Sequence, residues 1–269
     1  MENILLPSKM SFRDGDLENE SILTIEPLHH GYGTTVGNAL RRVLLSSLEG
    51  AAVTAVKIKG ANHEYSTIEG VKEDTLEIIL NLKLLRLKVH TDEPIILNLE
   101  VTGRQGEVTA KDISGNADVE IVNSDLVIAT MTDKSATFHA EITVGRGRGF
   151  VPTEEQNSTG NDIGVMAMDA FFSPVVNVGI TVENTRVGEI TNYDKVNMNI
   201  LTDGTVSAQE AVGDAVKILL NHFNWIEGQL AHASLTEKIA AASEDAEEVI
   251  DETKEEVENI SEEIEETEE

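Results

Sequence analysis

The chain has 269 residues, no cysteine, one tryptophan and a formal net charge of −29, enough length for one large domain or two small ones. Absence of cysteine removes disulfides, thiolate metal sites, iron–sulfur ligation and cysteine nucleophiles together. The acidic excess argues against a broad nucleic-acid-binding surface, which needs clustered Lys and Arg to meet phosphate.

The charge is unevenly spread. Residues 235–269 hold 16 acidic side chains against Lys238 and Lys254, a net of −14, whereas residues 1–234 hold 33 acidic against 18 basic. No stretch approaches the roughly 20 apolar residues needed to cross a bilayer. Residues 1–12 have no basic segment leading into an apolar run, so no signal peptide is expected and the default location is cytoplasmic.

In chain order, residues 21–27 (SILTIEP) alternate and are rich in β-branched side chains, which predicts a strand ended by Pro27. A glycine-rich turn, Gly31-Tyr-Gly33, follows, with Thr34 or Thr35 placed to cap a helix. Val36, Leu40, Val43, Leu44 and Ser47 then form one stripe, predicting a helix over 36–48 closed by Gly50 as the residue beyond its end. Residues 51–59 switch to a period of two, a strand. The 60–70 loop leads to a helix at 71–82. From 84 to 140, short apolar runs recur about every ten residues (95–101, 118–122, 126–131, 136–144) with turn signals between them, which predicts a β-rich module. Gly145-Arg-Gly-Arg-Gly-Phe-Val-Pro152 is expected to end that module as a turn presenting two guanidinium groups.

Ser173-Pro174 marks a break, after which 175–183 and 195–201 alternate as strands. Ser207 opens the clearest helix, 207–224, whose face is Ala208, Ala211, Val212, Ala215, Val216, Leu219, Leu220 and Phe223. Beyond Trp225 the composition turns to Glu and Ala. A thin apolar series there (Ile239, Ala246, Ile250, Thr253, Val257, Ile260, Ile264) fits a heptad, compatible with a solvated, partly helical or disordered tail or with a helix that pairs with a partner.

Candidate chemistry is sparse. Gly31-x-Gly33-x-x-x-Gly37 is one residue too long for a dinucleotide fingerprint and lacks a phosphate-loop lysine. Seven scattered histidines show no ligand spacing, and His63-Glu64 has neither a nucleophile nor an orienting group beside it. No catalytic residue, cofactor site or metal site is expected. Arg41, Arg42, Arg146 and Arg148 are the conspicuous cations in an acidic body, and guanidinium groups suit carboxylates on a protein partner.

Taken together, Gly31-Tyr-Gly-Thr-Thr-Val-Gly-Asn-Ala-Leu-Arg-Arg-Val-Leu-Leu-Ser-Ser47 and Gly50-Ala-Ala-Val-Thr-Ala-Val56 resemble the signature of the bacterial RNA polymerase alpha subunit. So do His63-Glu-Tyr-Ser-Thr67, Gly70-Val-Lys-Glu-Asp74, Ile78-Ile-Leu-Asn-Leu-Lys83, Gly147-Arg-Gly-Phe-Val-Pro152, Phe172-Ser-Pro-Val175, Val182-Glu-Asn-Thr-Arg-Val187 and Asp194-Lys195. The resemblance covers residues 1 to about 228. It implies an α+β chain in two parts: an α/β dimerisation unit from 1–50 and 175–230, and an inserted β-rich module, 51–174, with an acidic tail at 231–269. It also implies a homodimer on which the beta and beta-prime subunits assemble, with the chemistry of the nucleotidyltransferase in those other chains.

Matched to the family, Arg42 corresponds to a beta-contacting position, Leu45 and Lys83 to positions linked to large-subunit docking, and His63–Thr67 with Val71–Asp74 to the beta-facing surface. Adding the bottom-up cations gives the expected contacts Arg41, Arg42, Leu45, His63, Glu64, Lys83, Arg146 and Arg148. Leu40, Leu44, Val212, Val216, Leu219 and Phe223 are the natural dimer-interface candidates. Two departures stand out. Val176 and Asn177 occupy places where the family usually has a basic residue after Phe-Ser-Pro-Val. The family's DNA-binding carboxy-terminal domain is expected to be missing, so no direct contact with DNA is anticipated. Alternatives from other classes are a small-molecule enzyme using the Gly31–Gly37 turn for phosphate, and an acidic chaperone-like or DNA-mimicking protein acting through its tail.

Overall fold

The computed structural model describes residues 4, 6–156 and 164–230. The acidic tail and its heptad series lie outside the described residues. The chain divides into two units, Met1–Val216 and Lys217–Glu269, with the boundary inside the last described helix.

The first unit begins with an antiparallel pair, β1 (Lys9–Asp14) and β2 (Glu20–Leu28). Helix α1 runs from Tyr32 to Ser46, with Ser47 at its C-terminal boundary. Its buried face is Gly33, Gly37, Leu40 and Leu44, spaced at i, i+4, i+7 and i+11. The expected stripe therefore has the right period, but glycines hold its N-terminal half. A Cβ on Gly37 would come within 3.2 Å of the Ile180 side chain, which would have to give by a few tenths of an ångström, so α1 lies close to the sheet along this half. Gly50 does not terminate α1; it lies in β3 (Glu49–Ile58).

β3 carries the chain into a second layered body. Helix α2 (Thr75–Lys83) starts later than periodicity predicts because Asp74 caps it, accepting from the Glu77 amide at 2.7 Å. Short strands follow: β4 (Leu87–Val89), β5 (Ile95–Thr102), β6 (Gly106–Thr109), β7 (Val119–Ile121) and β8 (Val127–Met131). A long strand, β9 (Thr137–Arg148), precedes β10 (Phe150–Val151), β11 (Val165–Ala167) and β12 (Ala170–Phe171). The main sheet is ordered β11-β3-β9-β5, with pairs β4-β7, β6-β8 and β10-β12 beside it. One core joins these pieces, centred on Ile58, Ile78, Leu99, Ile128, Phe138 and Ile142. Burying each such side chain contributes about 1.5–3 kcal/mol.

The chain then returns through β13 (Val175–Val187) and β14 (Ile190–Thr202), a hairpin longer than the sequence alternation predicts. β14 pairs with β2, which closes the sheet β1-β2-β14-β13 from segments on both sides of the second body. α1 packs on β13 and β14. A last helix, α3, spans 208–230. Ser207 and Glu210 cap it reciprocally, amide to Glu210 Oε2 at 3.0 Å and Glu210 amide to Ser207 Oγ at 3.2 Å. Ala208, Ala211, Val212 and Ala215 on its first turns are buried.

Candidate assembly surfaces

The N-terminus of α1 decides one of the alternatives. Gly31 caps the helix with φ 84°, and neither Thr34 nor Thr35 supplies the cap. The amides of Gly31 and Gly33 donate to Asp194 Oδ2 at 2.9 and 3.0 Å. Asp194 stands on β14, 4 % exposed, and brings a negative charge to the positive end of the helix dipole. The amides that could cradle phosphate are thus taken by the chain's own carboxylate. A phosphate arriving there would meet like charge, and the Gly31 and Gly33 amides are already bonded, which argues against a phosphate site at the Gly31–Gly37 turn. Gly31 supplies the left-handed φ at the cap, and Gly33 serves close packing, because a Cβ on it would stand 2.9 Å from Asp194.

The four conspicuous arginines separate into two pairs. Arg41 and Arg42 are exposed on α1, and among the described residues neither is within ion-pair distance of a carboxylate. Leu45 beside them is half-buried. Arg146 and Arg148 are not on a turn as expected; they sit at the end of β9, facing the start of β3 in the register Glu49↔Arg148 and Ala51↔Arg146. Arg146 reaches Asp92 Oδ1 at 2.7 Å and Glu49 Oε2 at 2.9 Å, and Arg148 bonds Glu49 Oε1. The Arg148 hydrogen bond, with Arg146 behind it, holds the Glu49 carboxyl below the usual range. These two guanidinium groups already have carboxylate partners. Their glycine neighbours are structural: a Cβ on Gly147 would meet the Phe172 ring at 2.7 Å, and Gly149 takes φ 64°.

Lys83, at the end of α2, bonds Asp169 Oδ2 at 3.0 Å. Asp169 Oδ1 accepts from the Thr153 hydroxyl at 2.7 Å and the Thr153 amide at 3.1 Å. The Thr153 hydroxyl, then Lys83, pull the Asp169 carboxyl down to about 2. His63 and Glu64 lie exposed in the loop before α2, with Tyr65 beside them 73 % exposed. That loop is shaped from within, since the Ser66 hydroxyl donates to His63 O at 2.6 Å and the Thr75 hydroxyl to Ser66 O at 2.9 Å. Among the described residues no three His, Asp or Glu side chains gather as a metal site, and no helix is long and apolar enough to cross a membrane.

The six dimer-interface candidates also divide. Leu40, Leu44 and Val212 are buried within the single chain; they belong to its core and have no surface left to offer a second copy. Val216 and Phe223 remain exposed on α3, and Leu219 is half-buried. The six candidates left out Leu220, although it stood on the expected helix face, and also Trp225, Ile226 and Leu230, which lie beyond the expected helix end at 224. All four are exposed, and their period on a continuing helix was the available signal. Phe223 is 60 % and Trp225 67 % exposed, which is unusual for side chains this large in a helix otherwise apolar on one side.

Comparison with known proteins places this architecture. Residues 56–173 match the family model described as the RNA polymerase Rpb3/RpoA insert domain. The chain is 48% identical over 227 residues to the DNA-directed RNA polymerase subunit alpha of Alkaliphilus oremlandii, covering 84% of this chain and 71% of that one. It is 49% identical over 224 residues to the subunit alpha of Carboxydothermus hydrogenoformans, covering 83% and 71%, and 50% identical over 216 residues to that of Moorella thermoacetica, covering 80% and 66%. The chain belongs to the family of DNA-directed RNA polymerase alpha subunits. Within this alpha subunit, Asp194, Asp169 and Phe172 organise the surfaces just described. No sequence signal singled out Asp169; Phe172 and Asp194 lie in segments that resemble the family, but their contacts with Gly147 and with the start of α1 follow only from the fold.

Proposed function

We propose that this alpha subunit is an assembly scaffold that homodimerises and, as a dimer, docks the beta and beta-prime subunits of DNA-directed RNA polymerase. The carrying observation is the run of exposed apolar side chains on α3, from Val216 through Leu220, Phe223 and Ile226 to Leu230. These positions recur at i+3 and i+4 and define one helix face. Water contact along such a face is costly, and an isologous helix contact in a two-fold dimer removes it from both copies at once. The unpaired Arg41 and Arg42 on α1 supply charge for carboxylates of a large subunit. Lys83 and the His63–Glu64 loop lie in the second body and offer a further polar surface. The 231–269 segment is strongly acidic, so direct contact with DNA through it is electrostatically unfavourable.

Co-expression of the tagged chain with its own organism's two large subunits tests the proposal. Recovery of a dimer carrying both large subunits is expected. Arg42→Ala should leave the dimer intact and weaken beta capture several-fold. A variant that still brings down stoichiometric beta removes Arg42 from the docking surface, and a wild-type chain that stays monomeric without partners overturns the scaffold reading.

A further inference from the structure

The chain crosses between the outer sheet and the second body twice, at 47–52 and at 172–175. At both crossings the structure places the same side chain. Gly50 on β3 lies directly opposite Gly147 on β9, and Phe172 covers the pair. A Cβ on Gly147 would stand 2.7 Å from the Phe172 ring, and one on Gly50 would stand 1.8 Å from the Phe172 carbonyl oxygen. Phe172 is buried with Ala52 and Ala170 in a small cluster of its own, apart from the main core of the second body. Its amide donates to Gly149 O at 2.8 Å, inside the second body. Two residues later Pro174 O accepts from the Asp203 amide at 3.0 Å, at the turn that ends the outer sheet. One short segment is therefore pinned to both parts, with the Phe172 ring set against Gly147 and its carbonyl against Gly50.

The opposite face of the same strand pair is less tightly filled. It carries the Glu49, Arg146, Arg148 and Asp92 ion pairs, and a cavity of about 90 Å³ lined by Ala51, Val89, Arg146 and Val206 among others. Surface ion pairs hold an angle weakly, because water screens them and long side chains rearrange. Close-packed rings on backbone do not yield gradually.

We propose that Phe172, set against Gly50 and Gly147, is the positioning residue that holds the second body at one angle to the outer sheet, presenting Arg41 and Arg42 and the His63–Lys83 surface as a single footprint for a large subunit. The footprint clause rests on the scaffold function above; the fixed angle does not. Truncating the ring frees the crossing segments to swing about the strand pair, and a Cβ on Gly147 displaces the ring.

The lack of native cysteine permits a direct measurement. Ser11→Cys on β1 and Glu100→Cys on β5, both exposed strand positions, carry spin labels on either side of the joint. Labelled chain is mixed with excess unlabelled chain so that each dimer holds one labelled copy. Electron–electron double resonance should give one narrow distance in the parent, a broadened distribution in Phe172→Ala, a shifted one in Gly147→Ala, and near-parent width in Phe172→Leu. Circular dichroism selects folded variants, and if Phe172→Ala does not fold, Gly147→Ala and Phe172→Leu carry the comparison. Large-subunit capture should fall several-fold in the variants that broaden or shift, with the dimer retained. An unchanged distance distribution in a folded Phe172→Ala or Gly147→Ala chain overturns the joint. A changed distribution with undiminished capture overturns its role in assembly. Failure of the parent chain to capture large subunits counts against the scaffold function and leaves the distance result standing.

Discussion

Replacing Asp194 with alanine removes a cap supplied from 161 residues away in sequence. The carboxylate accepts from two amides, at 2.9 and 3.0 Å, in a buried position. Loss of a helix cap costs about 0.5–2 kcal/mol, and loss of the charge at a partly buried helix N-terminus up to about 2 kcal/mol. Leaving the Gly33 amide, which is buried, without a partner costs about 1–3 kcal/mol. These overlap, because each describes the same two hydrogen bonds, so the net expectation is about 2–3 kcal/mol. For a chain of this size each kcal/mol lowers the midpoint by about 2–4 °C, giving a fall of roughly 4–12 °C. Asp194→Asn keeps an acceptor and loses only the charge, so about 1 kcal/mol is expected. The assay is urea unfolding at fixed protein concentration, since dimerisation makes apparent stability concentration-dependent, with an unchanged slope showing that the unfolded state is not what moved. An Asp194→Ala midpoint within about 0.5 kcal/mol of the parent, the spread of ordinary surface changes, refutes the cap. Equal losses in Ala and Asn would place the effect in the charge, which both remove, and not in the acceptor or the packing, which Asn keeps.

Stability should fall in acid through Asp169, whose carboxyl is drawn from 3.8 to about 2 by Thr153 and Lys83. Its contribution is present above the unfolded value and disappears as pH drops through that interval, because unfolding there takes up a proton; Asp169→Asn should flatten the stability profile between pH 4 and 2, by less than a buried pair would give since the side chain is 39% exposed. An unaltered acid slope in that variant refutes the assignment. Gly50→Ala should be severely destabilising, as its Cβ would overlap the Phe172 carbonyl, whereas Gly213→Ala, with open space around it in α3, should stabilise by about 0.5–1 kcal/mol; thermal unfolding of the two separates a glycine required by packing from one that is not. Phe223→Asp should shift the dimer toward monomer in sedimentation equilibrium while leaving the far-ultraviolet circular dichroism unchanged, and a dimer as tight as the parent's would move the interface off this helix face.

Much of the architecture was legible along the chain. The period of three to four around Leu40 and Leu44, and again around Ala208 to Ala215, marks helices because a helix on a sheet must repeat its apolar contacts once per turn. Alternation at 95–101 and 136–144 marks strands for the corresponding reason. Boundaries were less legible. α2 begins at Thr75 because Asp74 has its carboxylate free to cap, and β13 and β14 run on to Val187 and from Ile190 because each completes the other's hydrogen bonds as a hairpin. Sequence alone assigns the glycine-rich stretches Gly31–Gly33 and Gly145–Gly149 to turns, since glycine's missing side chain counts for nothing in a hydrophobic pattern. In the fold, Gly33, Gly37, Gly50 and Gly147 are contact positions where another group takes the space of a Cβ.

The same division holds for the surfaces. Composition and motif order suffice to place the chain among alpha subunits, because they depend on residue types in sequence and on nothing distant. Whether a given arginine is free to meet a partner depends on what the fold brings beside it: Arg41 and Arg42 remain open on α1, while Arg146 and Arg148 face Glu49 across a strand pair. Leu40 and Leu44 are consumed by the chain's own core, and Phe223 and Trp225 are not. Local periodicity says that a side chain wants cover. Only the tertiary structure decides which of them the chain covers itself, because that depends on segments more than a hundred residues apart meeting in one sheet.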